Sequence, residues 1–186
     1  MNRPRIHGLV LVSVLTSGAT ACADDATAPL GGEPAGLCDL PEGLTAQGSS
    51  SEAIPALTEP AFVSAESAQY LLDSDRVLGL AVDGEARAYP HNILWSHEVV
   101  NDRFGDRWIS VSYCPLTGFG RALDAIIDGS RVEFGVSGLL SANNLVMFDR
   151  LSDQLFGPQL SIVGKCEGFA EVAPDLHAVR EMSWGE

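Results

Sequence analysis

The run Arg76-Val77-Leu78-Gly79-Leu80-Ala81-Val82, Asp83-Gly84, Glu85-Ala86-Arg87-Ala88-Tyr89 sets the architecture of this chain. Two arms of strand length flank Asp-Gly, a pair that readily adopts the positive φ angles of a two-residue hairpin turn. The same pattern repeats outward. A second hairpin is expected from His97–Val100 and Trp108–Cys114 around a six-residue loop, Asn101-Asp102-Arg103-Phe104-Gly105-Asp106. A third joins Gly120–Ile127 to Arg131–Val136 through Asp128-Gly129, with further strands at Leu145–Asp149 and Leu160–Val163. Ser64 can cap a short helix through Leu72, and a helical turn follows Pro90. These elements predict a mainly β fold, with α+β as the alternative: antiparallel hairpins in a barrel or sandwich carrying one or two short helices. No fixed-period repeat and no parallel βαβ rhythm is present.

Working toward the N-terminus, the folded unit is expected from about residue 53 to residue 186. Residues 22–52 read as a tether, with Asp24-Asp25, Pro29, Gly31-Gly32, Pro34, Gly36, Pro41 and Gly48-Ser49-Ser50-Ser51 replacing apolar periodicity. Such a coil spans about 30 Å. Residues 1–21 read as a signal peptide. Arg3 and Arg5 precede the apolar run Gly8–Leu15, and small residues Ser17-Gly18-Ala19-Thr20-Ala21 lead to Cys22. That run is too short to span a bilayer. Ala19-Thr20-Ala21-Cys22 resembles a bacterial lipobox, so lipidation at Cys22 is expected, with ordinary secretion as the alternative. The expected location is the cell envelope, on a membrane facing the periplasm or the exterior.

Composition narrows the partners. The 186 residues carry 25 acidic against 11 basic side chains, a net charge of −14, and 46% hydrophobic residues allow a real core. Cleavage before Cys22 would leave 25 acids against 9 bases, a net −16. Phosphate backbones and anionic membrane surfaces are repelled, so nucleic acid is excluded and membrane attachment rests on the lipid anchor alone. Four cysteines are too few for a disulfide scaffold and form no zinc-finger spacing. Cys38 and Cys166 are the expected pair if any bridge forms in an oxidising envelope.

The chemistry-bearing segment is Tyr113-Cys114-Pro115-Leu116-Thr117-Gly118-Phe119-Gly120. Alternation puts Ile109, Val111 and Tyr113 on one face and Trp108, Ser110, Ser112 and Cys114 on the other, away from the obvious core face. Pro115 ends the strand beside the thiol, Gly118 and Gly120 can free backbone amides, and Thr117 adds a hydroxyl. Cys114 then reads as a nucleophile or metal ligand, or as a small buried hydrophobe. His97 and His91 are the available bases. With a regular six-residue loop, His97 lies opposite Ser110 and about 13 Å from Cys114, and His91 approaches the strand end instead. Glu98, Asn101 and Asp102 could orient an imidazole, although Asn-Asp is also ordinary turn chemistry. Ser137 and Asn144 lie in Gly/Ser/Asn clusters that supply donors to a ligand or simply connect strands. Asp149 with Arg150 reads as a strand-end ion pair or a polar pocket group.

Taken together, Ile54-Pro55-Ala56-Leu57, Ala86-Arg87-Ala88-Tyr89-Pro90, His97-Glu98-Val99-Val100-Asn101-Asp102, Tyr113-Cys114-Pro115-Leu116 and the run Phe134–Leu140 through Asn144–Arg150 resemble the prokaryotic domain of unknown function 3179 family. The resemblance extends from about Ile54 to Trp184 and implies no established activity. Some members carry a second cysteine where Thr117 stands here, which argues against a dithiol cycle in this chain. Members also continue past the segment resembling Glu181-Met182-Ser183-Trp184, so the resemblance implies a domain incomplete at its C-terminus. Three classes of function follow: an envelope protein binding a small molecule or another envelope protein; a single-cysteine enzyme or thiol redox protein using Cys114 with His97 or His91; and a metal protein using the same three residues, where ligand softness favours copper or zinc.

Overall fold

The computed structural model describes residues 9–12, 44–46, 51–141, 143–153, 155–156, 162–164 and 174–186. Cys22, Cys38 and Cys166, most of the expected leader and nearly all of the expected tether lie outside the described residues. In chain order the early strands are β1 (Leu9–Val12), β2 (Leu44–Ala46), β3 (Leu57–Thr58), β4 (Ala61–Ser64), β5 (Arg76–Val82) and β6 (Glu85–Pro90). Helix α1 (His91–His97) leads to β7 (Val99–Phe104), β8 (Arg107–Cys114), β9 (Phe119–Asp124), β10 (Ile126–Ile127) and β11 (Ser130–Arg131). The chain continues through β12 (Phe134–Ser141), β13 (Asn144–Asp149), β14 (Leu155–Phe156), β15 (Ile162–Gly164), β16 (Leu176–His177) and β17 (Val179–Ser183).

These strands form three five-stranded sheets and one small hairpin, stacked as a sandwich in which no barrel closes. The central sheet, β16-β9-β8-β7-β3, is covered on one face by β17-β5-β6-β1-β4 and on the other by β15-β14-β13-β12-β2. Two cores result. Leu78, Leu80, Tyr89 and Leu94 from the first covering sheet and α1 pack on Val100, Phe104, Ile109, Val111 and Tyr113. Phe134, Val136, Leu145 and Met147 from the second pack on Val99, Cys114 and Leu123. Burying a side chain of this size stabilises the fold by about 1.5–3 kcal/mol. Because β8 is covered on both sides, its last six residues are all buried. The alternation expected for β8 holds, but the face carrying Cys114 meets a second core.

Turn chemistry explains the hairpins that form as expected. Asp83 and Gly84 have φ of 50° and 86°, and Asp128 and Gly129 have 49° and 77°, the paired positive values of a tight hairpin turn. The second hairpin departs from expectation. Asn101–Phe104 continue β7 instead of looping, and a two-residue turn at Gly105-Asp106 pairs Phe104 with Arg107. Val99 therefore opposes Ser112, four residues further along than a six-residue loop would give. Polar Asn101 and Asp102 are tolerated in a buried strand because each finds partners across a layer.

Other corrections follow from tertiary packing. The helix expected from Ser64 to Leu72 is only a 3₁₀ turn, Ala65–Ser67, with no cap bond from Ser64 to the backbone. The strand expected over Gly120–Ile127 breaks after Asp124, where the Asp124 and Ala125 amides bond to Asp175 and Trp108 carbonyls. Gly135-Val136-Ser137-Gly138 is strand, not connection: β12 runs through it with a bulge between Val136 and Leu140. Ser137 holds that bulge, donating to the Val146 carbonyl at 2.5 Å and accepting from Leu139 N at 3.1 Å. Two short parallel pairings, β1 with β6 and β3 with β7, add to the antiparallel ladders.

Candidate functional site

The local sequence Tyr89-Pro90-His91 turns strand into helix. Pro90 (φ −65°, ψ 137°) ends β6 in an extended conformation and lacks a donor, so α1 starts at His91. One helical turn later, Trp95 occupies the same helix face, four residues on. The imidazole of His91 lies over the ring of Tyr113, with centroids 4.3 Å apart. Its Nε2 is buried against Glu181, 2.9 Å from Oε1. Arg76 reaches the other carboxylate oxygen of Glu181 at 3.2 Å. Trp95 stands at the edge of this group with 63% of its surface exposed. The indole comes within hydrogen-bonding reach of the Tyr113 hydroxyl.

The electrostatics keep the site neutral at its centre. Burial lowers the His91 pKa below the ordinary 6.5, and Arg76 lowers it further, while Glu181 opposes both. Burial also raises the Tyr113 phenol above its usual 10, helped by the Glu181 charge. At the C-terminal end of α1, Glu98 takes φ 55° and is 8% exposed, and burial raises its carboxyl above the usual 4.5. The Glu98 carbonyl accepts from Tyr113 N at 2.8 Å, extending the β7–β8 ladder to the site. The imidazole is thus held by Glu181, while the phenol and the exposed indole stand together at the rim of the site.

Cys114 stands apart from this group. It is a free thiol, 2% exposed, and faces the core beneath β12 and β13, with Sγ 3.9 Å from the Asn143 carbonyl. Strand alternation puts it on the face of β8 opposite Tyr113 and His91, so His91 does not serve it as a base. His97 lies near the level of Cys114 by register, but its Nδ1 is 2.8 Å from the Pro55 carbonyl and the thiol has a different partner. Among the described residues, no group of three or more His, Cys, Asp or Glu side chains could hold a metal ion. The copper or zinc centre expected from Cys114, His97 and His91 is therefore not assembled. The Thr117 and Gly118 amides bond the Cys114 carbonyl at 3.3 and 2.9 Å, closing the turn instead of facing an anion. Gly120 is required for packing, since a Cβ there would come within 2.8 Å of Leu78.

The remaining candidates brace the fold. Asn101 acts as a side-chain peptide group: its Nδ2 donates to the Phe134 carbonyl and its Oδ1 accepts from Phe134 N, both at 2.8 Å. Asp102, 3% exposed, accepts from the Tyr89 hydroxyl at 2.6 Å and from the Arg87 guanidinium, tying two layers together. Asp149 accepts from Leu151 N and the Ser152 hydroxyl at the end of β13, and Asn144 accepts from Leu145 N at its start. Arg150 bonds Glu52 and Glu133 rather than Asp149. Arg76 and Glu181 could not be found as site residues from sequence, because β17 reaches β5 only through tertiary pairing. Trp95 carried a weak signal in its four-residue spacing from His91.

No curated protein and no solved structure matches the chain. The model of the family described as "Protein of unknown function (DUF3179)" matches residues 51–186, which hold α1, β8, β17 and every residue of the site. With that match covering most of its length, the chain belongs to the DUF3179 family of proteins of unknown function.

Proposed function

We propose that this is an exported, lipid-anchored envelope protein that binds a small molecule on the exposed face of Trp95, beside His91 and Tyr113. One observation carries the reading: the Trp95 indole, 63% exposed, stands one helical turn from His91 and within hydrogen-bonding reach of the Tyr113 hydroxyl, an aromatic face in water beside two polar rings. An exposed indole with polar groups beside it offers a stacking face and hydrogen bonds to a ring-bearing molecule. A ring stacking on Trp95 would place a polar edge toward the Tyr113 hydroxyl. The thiol alternative has less support, since Cys114 is 2% exposed and His97 Nδ1 is engaged by the Pro55 carbonyl. Export and anchoring rest on the leader pattern and on Cys22.

Native mass spectrometry on protein purified from envelope fractions tests both halves. The expected result is a diacylglyceryl adduct on a chain beginning at Cys22, together with a noncovalent small-molecule adduct that His91→Ala and Trp95→Ala lose. Identical adduct patterns in wild type and both variants would refute the site. A chain without the lipid mass would refute the anchor.

A further inference from the structure

We propose that the mature protein contains a one-strand slot between β4 and β6 that takes an extended apolar segment of another envelope protein by strand addition. The inference rests on the export reading above. Leu9–Val12, the middle of the expected leader's apolar run, forms β1. It pairs antiparallel with β4 over Leu9↔Ser64 to Val12↔Ala61 and parallel with β6 at Leu9↔Arg87 and Val10↔Ala88. Removal of the leader takes this strand out of the middle of its sheet. β6 then keeps only β5, and β4, whose ladder is to β1, keeps no strand partner.

The far wall stays in place when the strand leaves. Phe62 of β4 packs edge-on against Tyr89 at 5.8 Å and lies 4.6 Å under the Arg87 guanidinium. Those contacts hold β4 two strand spacings from β6 without a ladder between them. Facing edges with unpaired N–H and C=O groups are a template for another strand. Residues 22–43, rich in Asp, Gly and Pro, are poor strand formers and unsuited to fill it. A net charge of −16 on each processed chain opposes filling by a second copy. The segment that fits is four or more residues of alternating aliphatic type, as Leu-Val-Leu-Val is.

Amide hydrogen exchange on the processed chain and on unexported full-length chain tests this, with a synthetic peptide of residues 8–13 as the probe. The full-length chain is expected to protect Ala61–Ser64, Arg87 and Ala88 and to ignore the peptide. The processed chain is expected to exchange there at least tenfold faster and to regain protection saturably with the peptide. N-methylation of alternate peptide amides should abolish the effect. A processed chain whose amides stay unprotected at saturating peptide overturns the slot and leaves export standing. Protection that instead tracks dimer formation assigns the slot to a second copy and overturns the partner assignment. Intact mass showing an uncut leader in the envelope overturns the export reading itself.

Discussion

Two polar clusters occupy the same side of the central sheet, one around Asp102 and one around His91, and they differ in whether the protein itself completes them. In the first, the Asp102 carboxylate accepts from Arg87, from the Tyr89 hydroxyl and from Arg103 N, and Arg87 also reaches Glu85 at 2.6 Å. Arg87 lies between the Phe62 and Phe104 rings at 4.6 and 4.1 Å, and burial beside Asp102 pushes the Tyr89 phenol well above its usual 10. In the second, His91 Nε2 meets the Glu181 carboxylate at 2.9 Å but Trp95, 63% exposed, remains in water. A closed network spends its bonding capacity on holding layers together. An open one retains capacity for a molecule from outside.

That contrast is sharpest in stability. Asp102→Ala should cost about 3 kcal/mol, because it leaves the buried Tyr89 phenol without its acceptor and the Arg87 guanidinium with Glu85 alone. Urea unfolding measures it, and a loss below about 1 kcal/mol would mean that the cluster does not hold the layers together. Asn101→Ala comes next, at about 2 kcal/mol, since both bonds that Asn101 makes to the Phe134 backbone are lost together. Restoring the loss with Asn101→Gln would show that the bonds need no exact side-chain length.

Cys114→Ser should cost about 1–2 kcal/mol through a hydroxyl placed in an apolar core. Maleimide labelling of the wild type should be slow when folded and fast in denaturant. Fast labelling of the folded protein would put Cys114 back among the reactive groups.

The smallest stability effect belongs to the open cluster: His91→Gln should change stability by less than about 1 kcal/mol near pH 8. Its signature lies in pH. The folded imidazole has a pKa below 6.5, so the unfolded chain binds the proton first as pH falls. Wild-type stability is therefore full above pH 6.5 and declines as the pH drops from there to the folded pKa. Melting temperature against pH should lose that decline in His91→Gln, and an unchanged profile would show that His91 is not the titrating group.

Asp-Gly turns, strand alternation and Pro90 were readable locally, because a turn needing positive φ and a face repeating every two residues depend on near neighbours alone. The face assignment of β8 was correct on those grounds, as was the family resemblance carried by ordered short motifs. The register of β7 was misread because Asn101 and Asp102 are turn formers by propensity. Only partners 33 residues on, at Phe134, and 13 residues back, at Tyr89, make a buried strand the better place for them. Cys114 shows the same limit, since alternation gives a face but says nothing of a second sheet lying over it. The candidate site was half legible: His91 and Tyr113 stood in motifs, while Arg76 and Glu181 reach it through a pairing 105 residues apart in the chain. Local backbone geometry is written in consecutive residues. Burial and charge pairing depend on which surfaces meet when three sheets stack, and that only the tertiary structure decides.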